Sequence, residues 1–460
     1  MRKGSRWALT GASLLVAFVG GAATSRLGHA EGERDSPYAP LAQLARALVL
    51  IENEYVDPVE RQRMLDGAVK GLVAELDPHS AYMSQSEFAL FNQDTEGSFG
   101  GIGVEVDFSG ERVVVMVPMP GAPAQKAGIR AGDEIVAVDD KLVKGMSPDA
   151  IVKTMRGPAG TRVKLAVLPK GASTLKSFEL TREHIHVRSV ESKRLEGDVA
   201  YVRLRQFQEG THDELLEEVG KLREASERPL RGVVLDLRNN PGGLVDEAEA
   251  VADELLASGV IYTTRHRGKI LDESRAKPGG ALAKLPVVVL VNELSASSSE
   301  LVAGALRDNG RASVVGATTF GKGSVQTIFQ LPGGAGMRLT TMRYYTPSGR
   351  AIQAAGVAPD VRVRYRDDET AALSLFREER LDGHLAPEAS GPLTTVTEEH
   401  VGEKRPEYIA IDELPTTPSE ASDLGLAVGY RKLLAKLEGA SATAALAPRG
   451  AGERPKTAGN

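Results

Sequence analysis

Apolar and polar positions change period several times along the chain, and each change marks a different kind of element. Between 41 and 76 the apolar residues recur at helical spacing. Leu44, Ala47, Leu48 and Ile51 share one face, and Leu65, Val69, Leu72 and Leu76 share another, with Pro58 separating the two helices. From 97 to about 182 the period falls to two, in short runs punctuated by glycine. A glycine turn entering an alternating strand is expected at 100–106, further strands at 161–168 and 178–183, and a helix at 147–155. From Val199 the pattern alternates again: strands at 199–204 and 232–237, helices at 213–225 and 245–256, then the unbroken run Val287–Val291. A helix at 300–309 stopped by Gly310 follows, then strands at 312–315, 325–331 and 339–345. A β-branched run without polar interruption fits a strand covered on both faces. Strand–helix alternation predicts a mostly parallel, helix-flanked sheet. The expected fold class is α/β and multi-domain: a helix-flanked, mixed but mostly parallel sheet core, an inserted β/α module and an N-terminal helical segment.

Composition adds limits. Arg2, Lys3 and Arg6 precede an apolar run from Trp7 to about Ala23, which reads as a targeting segment over 1–30. Gly28-His29-Ala30 and Gly21-Ala22-Ala23 are weak cleavage sites, so a removed signal peptide and a retained single-span anchor both stay open. Either way the chain is expected to be exported, to the periplasm or cell envelope. With no cysteine, the exported fold relies on packing rather than disulfides. A net charge of −6 gives no reason to invoke nucleic acid. Residues 439–460, rich in Ala, Gly, Pro and charge, read as a disordered tail.

The chemistry concentrates in 286–326. Ser295-Ala296-Ser297-Ser298-Ser299 lies where the Val287–Val291 strand gives way to a helix. N–H groups at a helix start are unpaired and carry partial positive charge, which suits a nucleophile whose reaction creates an oxyanion. Taken alone, a serine there is ordinarily just a cap. A nucleophile also needs a base, and with 8 histidines and no G-x-S-x-G elbow a serine–histidine triad has little support. Lys322, between Gly321 and Gly323, is the other candidate; it must be desolvated to lose its proton near neutrality. Gln326 is placed to hydrogen-bond and orient that amine. Gly316 to Lys322 also fits G-x-x-x-x-G-K, but Gly323 follows the lysine and the next segment alternates like a strand, against a phosphate loop. His79 reads as a capping or loop residue rather than a metal ligand, and no metal or cofactor is called for.

Ser-Ala-Ser-x-Ser-Glu at 295–300 and Phe-Gly-Lys-Gly-Ser-Val-Gln at 320–326 resemble the C-terminal processing, or tail-specific, serine proteases. The stretches 235–243, 339–350 and 356–361 agree in the same order, and the likeness spans about 39–363. The resemblance implies that Ser297 is the nucleophile, Lys322 the base and Gln326 the residue that positions the lysine. It implies an oxyanion hole from the backbone of Gly242 or Gly243 together with Ser298. The family often has alanine where Ser298 stands, which leaves the choice among neighbouring serines less secure; the register to Glu300 favours Ser297. Gly121 to Val136 resembles the PDZ domains of bacterial proteases. Such a module adds a peptide as a strand and captures its carboxylate, here on the backbone of Gly101, Ile102, Gly103 and Val104.

The expected organisation is a targeting segment (1–30), an N-terminal helical region (31–96), a PDZ domain (97–183), a protease core (184–365), a variable region with a closing helix (366–438) and the tail. The expected activity is endoproteolysis of protein or peptide substrates chosen by a free, apolar C-terminus. An adaptor or lipoprotein partner, self-association through the N-terminal helices and membrane association through the leader are further expectations. The competing reading is a catalytically silent PDZ scaffold or chaperone, and a nucleotide-dependent enzyme has least support.

Overall fold

A computed structural model describes residues 38–95, 98–108, 112–366, 377–388, 396–406 and 408–446. The targeting segment therefore lies outside the described residues. The chain divides by its internal contacts into a unit ending at Leu72 and a unit from Val73 onward. Helices Ala39–Glu54 and Arg61–Ala74 form where the apolar spacing predicts them, on either side of Pro58.

A seven-stranded sheet organises the larger unit. Its order is Val190–Leu195, Val199–Leu204, Gly232–Asp236, Val287–Val291, Ala312–Gly316, Val361–Tyr365 and Glu398–Gly402. The first pair is antiparallel and every later pair is parallel. Strand residues alternate between two cores, as the pleat requires. Val233, Leu235, Val287, Val289 and Val291 pack against Leu215, Val251, Leu301 and Val302 of helices Thr211–Glu224, Val245–Leu255 and Ser298–Asp308. Val234, Val288, Leu290 and Val315 face the other way, onto Leu426, Tyr430, Leu433 and Leu437 of helix Leu424–Leu446. Because both faces are covered, no strand of this centre can carry a polar alternation; Val287–Val291 is buried throughout.

A second sheet is antiparallel. Strand Gly336–Tyr345 pairs with Ala81–Met83, Val260–His266 and Ser324–Gln330, and Lys269–Arg275 flanks Val260–His266. The inserted module has its own sheet, ordered Val104–Asp107, Val113–Pro118, Glu134–Val138, Arg162–Leu168 and Lys176–Thr181. Helix Pro148–Met155, capped by Ser147 Oγ accepting Ala150 N at 3.3 Å, closes a core of Val115, Ile135, Ile151, Leu165 and Val167.

Within the variable region, Glu398–Gly402 extends the central sheet in parallel with Val361–Tyr365. Its sequence, Glu-Glu-His-Val-Gly, offers no apolar run because it is an edge strand. The closing helix also runs on to Leu446, past the expected start of the tail at 439. Alanine-rich sequence there has the highest intrinsic helix propensity. Residues 447–460 lie outside the described residues.

Candidate active site

Four serines follow the Val287–Val291 strand, and the structure separates them by what their hydroxyls do. Ser295 Oγ donates to Leu237 O at 2.8 Å, Ser298 Oγ to Gly243 O at 2.9 Å and Ser299 Oγ to Asn240 O at 3.0 Å. All three are fully buried. Ser297 alone sends its hydroxyl to no carbonyl among the described residues, and it lines a cavity of about 760 Å³. It is the N-cap of helix Ser298–Asp308 with φ 53° and ψ −116°. A positive φ on a serine is a strained conformation, of order 1–3 kcal/mol, so neighbours must hold it. Glu300 does so in a capping box, accepting Ser297 N at 2.8 Å.

The turn after strand Gly232–Asp236 lies against this serine. Asn240 is fully buried; its amide donates to Leu204 O at 3.0 Å and its Oδ1 accepts Gly242 N at 2.9 Å. Gly242 N is thereby used, whereas Gly243 N has no acceptor among the described residues. Of the two glycines expected to stabilise an oxyanion, Gly243 is the one with a free N–H. Ser298 N, at the first position of its helix, has no partner within that helix. Both glycines are required by space: a Cβ at Gly242 would lie 2.8 Å from Ser297 Cβ, and one at Gly243 would lie 1.9 Å from Phe207 O.

Lys322 enters from the antiparallel sheet, just before strand Ser324–Gln330, and lines the same cavity. The strand that follows it rules out the helix a phosphate loop needs. Burial holds the Lys322 amine below its ordinary value, and the Arg338 charge adds to this; Glu378, Glu300 and Asp77 pull the other way. No hydrogen bond joins Ser297 Oγ to Lys322 Nζ among the described residues. Gln326 also lines the cavity, but its amide donates to Ser324 Oγ at 2.8 Å and Thr340 Oγ1 at 3.3 Å, not to Lys322.

Glu300 is the residue that reading the sequence underrated. Fully buried, it accepts Ser297 N and Lys322 N on Oε2 and Gly321 N and the Thr319 hydroxyl on Oε1. Burial pushes its carboxyl up to about 7 despite those four bonds. The spacing Ser-x-x-Glu was the available signal, as a capping box. In the inserted module, Ile102 and Gly103 form the buried turn between Gly101 and Val104, with their carbonyls engaged by Ala124 N and Met119 N, each at 2.9 Å.

Residues 198–363 match peptidase family S41, 114–169 a PDZ domain and 18–87 the N-terminal domain of the activating protease CtpB. A carboxy-terminal-processing protease of Bartonella bacilliformis is 41% identical over 331 residues, covering 71% of this chain and 75% of that protein. The chain belongs to the carboxy-terminal-processing proteases of family S41. A probable CtpA-like serine protease of Staphylococcus aureus is 37% identical over 336 residues, covering 72% of this chain and 66% of that one. Among solved structures, the photosystem II D1 C-terminal processing protease is similar at 33% identity with a TM-score of 0.44, over 75% of this chain and 92% of that one. In this family S41 serine peptidase with a PDZ domain, Ser297 follows a strand of the parallel sheet and Lys322 precedes a strand of the antiparallel one. The cavity that unites Ser297 with Lys322 lies where those sheets meet.

Proposed function

We propose that this peptidase is exported, selects proteins by a free C-terminus through its PDZ domain, and cleaves them with a Ser297–Lys322 dyad. The observation that carries the reading is that the one hydroxyl of the serine run that donates to no carbonyl among the described residues and the half-buried Lys322 side chain line one cavity. Neutral Lys322 removes the Ser297 proton as Oγ attacks the scissile carbonyl. The tetrahedral oxyanion accepts N–H groups from Gly243 and Ser298, at the positive end of helix Ser298–Asp308. The protonated amine then returns its proton to the leaving nitrogen, and water releases the acyl group by the same route. Gln326 would reach Lys322 by exchanging its present bonds with Ser324 and Thr340.

Phe207, Leu244, Tyr262, Val325, Met342 and Tyr344 give the cavity an apolar wall, which supports apolar side chains next to the cut bond. The basic, then apolar N-terminal sequence supports export, although no helix among the described residues is long and apolar enough to cross a membrane. Exposed Leu44, Leu50 and Ile51 on helix Ala39–Glu54 support self-association through that helix. Labelling by a serine-reactive phosphonate tests the site: wild type should be acylated and Ser297→Ala should not, and labelling of the alanine variant would refute the assignment. Faster cleavage of a substrate with a free rather than an amidated tail tests the recognition.

A further inference from the structure

Glu378 lies beyond the residues that match the peptidase family, yet it is fully buried beside the loop that carries Lys322. Its backbone N donates to Phe320 O at 3.1 Å. The preceding Arg377 donates to Thr319 O at 3.2 Å and to Ala355 O at 3.1 Å. The Glu378 carboxylate accepts Gln353 Nε2 on Oε1 at 2.7 Å, and its Oε2 lies 2.7 Å from His79 Nε2. Gln353, fully buried as well, accepts Gly323 N on Oε1 at 3.1 Å. An unbroken chain of bonds therefore runs from His79 through Glu378 and Gln353 to the residue after Lys322.

We propose that Glu378 is a positioning residue for Lys322, acting through Gln353 on the lysine loop and held from the far side by His79. This rests on Lys322 being the general base. A carboxylate with no exposure is costly to bury and is retained only where its partners are fixed. Neither Glu378 nor Gln353 nor His79 lines the cavity, so none of them touches substrate. Glu378 also acts on the amine by charge. The charged groups around Lys322 are Arg338, which lowers its pKa, and Glu378, Glu300 and Asp77, which raise it. His79 and Arg377 flank Glu378 itself. Removing the Glu378 charge should let the amine lose its proton at lower pH.

The test is the pH profile of kcat and KM on a peptide substrate for full-length wild type, Glu378→Gln, Gln353→Met and Lys322→Ala, with melting temperatures alongside. Glu378→Gln is expected to move the acid limb of kcat about half a unit or more to lower pH, with KM within about twofold. Gln353→Met, which cuts the link and keeps the charge, is expected to lower kcat about tenfold with the limb in place. A limb unmoved in Glu378→Gln overturns the proposal, as does a loss of kcat that only follows loss of melting temperature. If Glu378→Gln does not fold, wild-type kcat in Gln353→Met overturns it. Cleavage by Lys322→Ala would instead refute the base assignment; a silent Lys322→Ala beside a wild-type-like Glu378→Gln would refute only the positioning role.

Discussion

Ser297 and Lys322 donate their backbone N–H groups to the same oxygen of Glu300, at 2.8 and 2.9 Å. Two loops from different sheets are thus tied to one carboxylate. The tie fixes the distance between the backbones of Ser297 and Lys322 and leaves the approach of Oγ to Nζ to side-chain rotation. A second bond, Phe320 N to Ser295 O at 3.0 Å, joins the same two loops.

Ser297→Ala and Lys322→Ala should each lower kcat/KM by roughly 10,000-fold, and the double variant should be no worse than either alone. Groups that act in one proton transfer are not additive. Single-turnover assays on an unstructured substrate measure this, and the PDZ domain should still bind a tail peptide in all three variants.

The acid limb of activity should lie below the ordinary lysine value of 10.5, because burial lowers the Lys322 pKa. The neutral amine is the working form, so kcat/KM should rise with pH about tenfold per unit until the limb is passed. A pH–rate profile with a small peptide reads this directly. Arg338→Met removes a charge that helps lower the amine and should move the limb to higher pH.

Glu300→Ala should leave the N–H groups of Ser297, Gly321 and Lys322 without their shared acceptor, costing about 1–3 kcal/mol for each unsatisfied group and most of the activity. The pH dependence of stability follows from a carboxyl pushed up to about 7 from 4.5. The folded state then binds the proton more tightly than the unfolded state. Its contribution is complete below about 4.5 and is lost as pH rises through about 7, on the order of 3 kcal/mol in all. Relative to Glu300→Gln, which does not titrate, wild type should lose melting temperature across that window.

Gly103→Ala should weaken capture of a free C-terminus. The position has φ 69°, and an added Cβ would lie 2.2 Å from Ala122 Cβ, so the turn must open. Titration calorimetry should show at least about a tenfold loss of affinity for a tail peptide, comparable to the loss on amidating the peptide. Phosphonate labelling of Ser297 should persist.

Much of the core was legible because its strands are covered on both faces. Val287–Val291 and the Val233–Leu235 stretch stand out as runs with no polar break, and the intervening helices keep one apolar stripe. Lys269–Arg275 was not legible: six of its seven residues are exposed, so no period marks it. Ser297 and Lys322 could be picked out by motif and register, but not that the other three serines spend their hydroxyls on carbonyls of Leu237, Asn240 and Gly243 in another turn. Glu300 was visible as a register mark and not as a junction. Glu378 was invisible because its partners His79 and Gln353 come from distant parts of the chain, joined by polar contacts that leave no local pattern.

The far face of the parallel sheet is covered by helix Leu424–Leu446, which follows in sequence every strand it packs against. Val288 and Leu290, on the strand that leads to Ser297, are buried beneath that helix. A polypeptide cut before Leu424 would therefore hold both Ser297 and Lys322 yet leave the sheet behind them open to water.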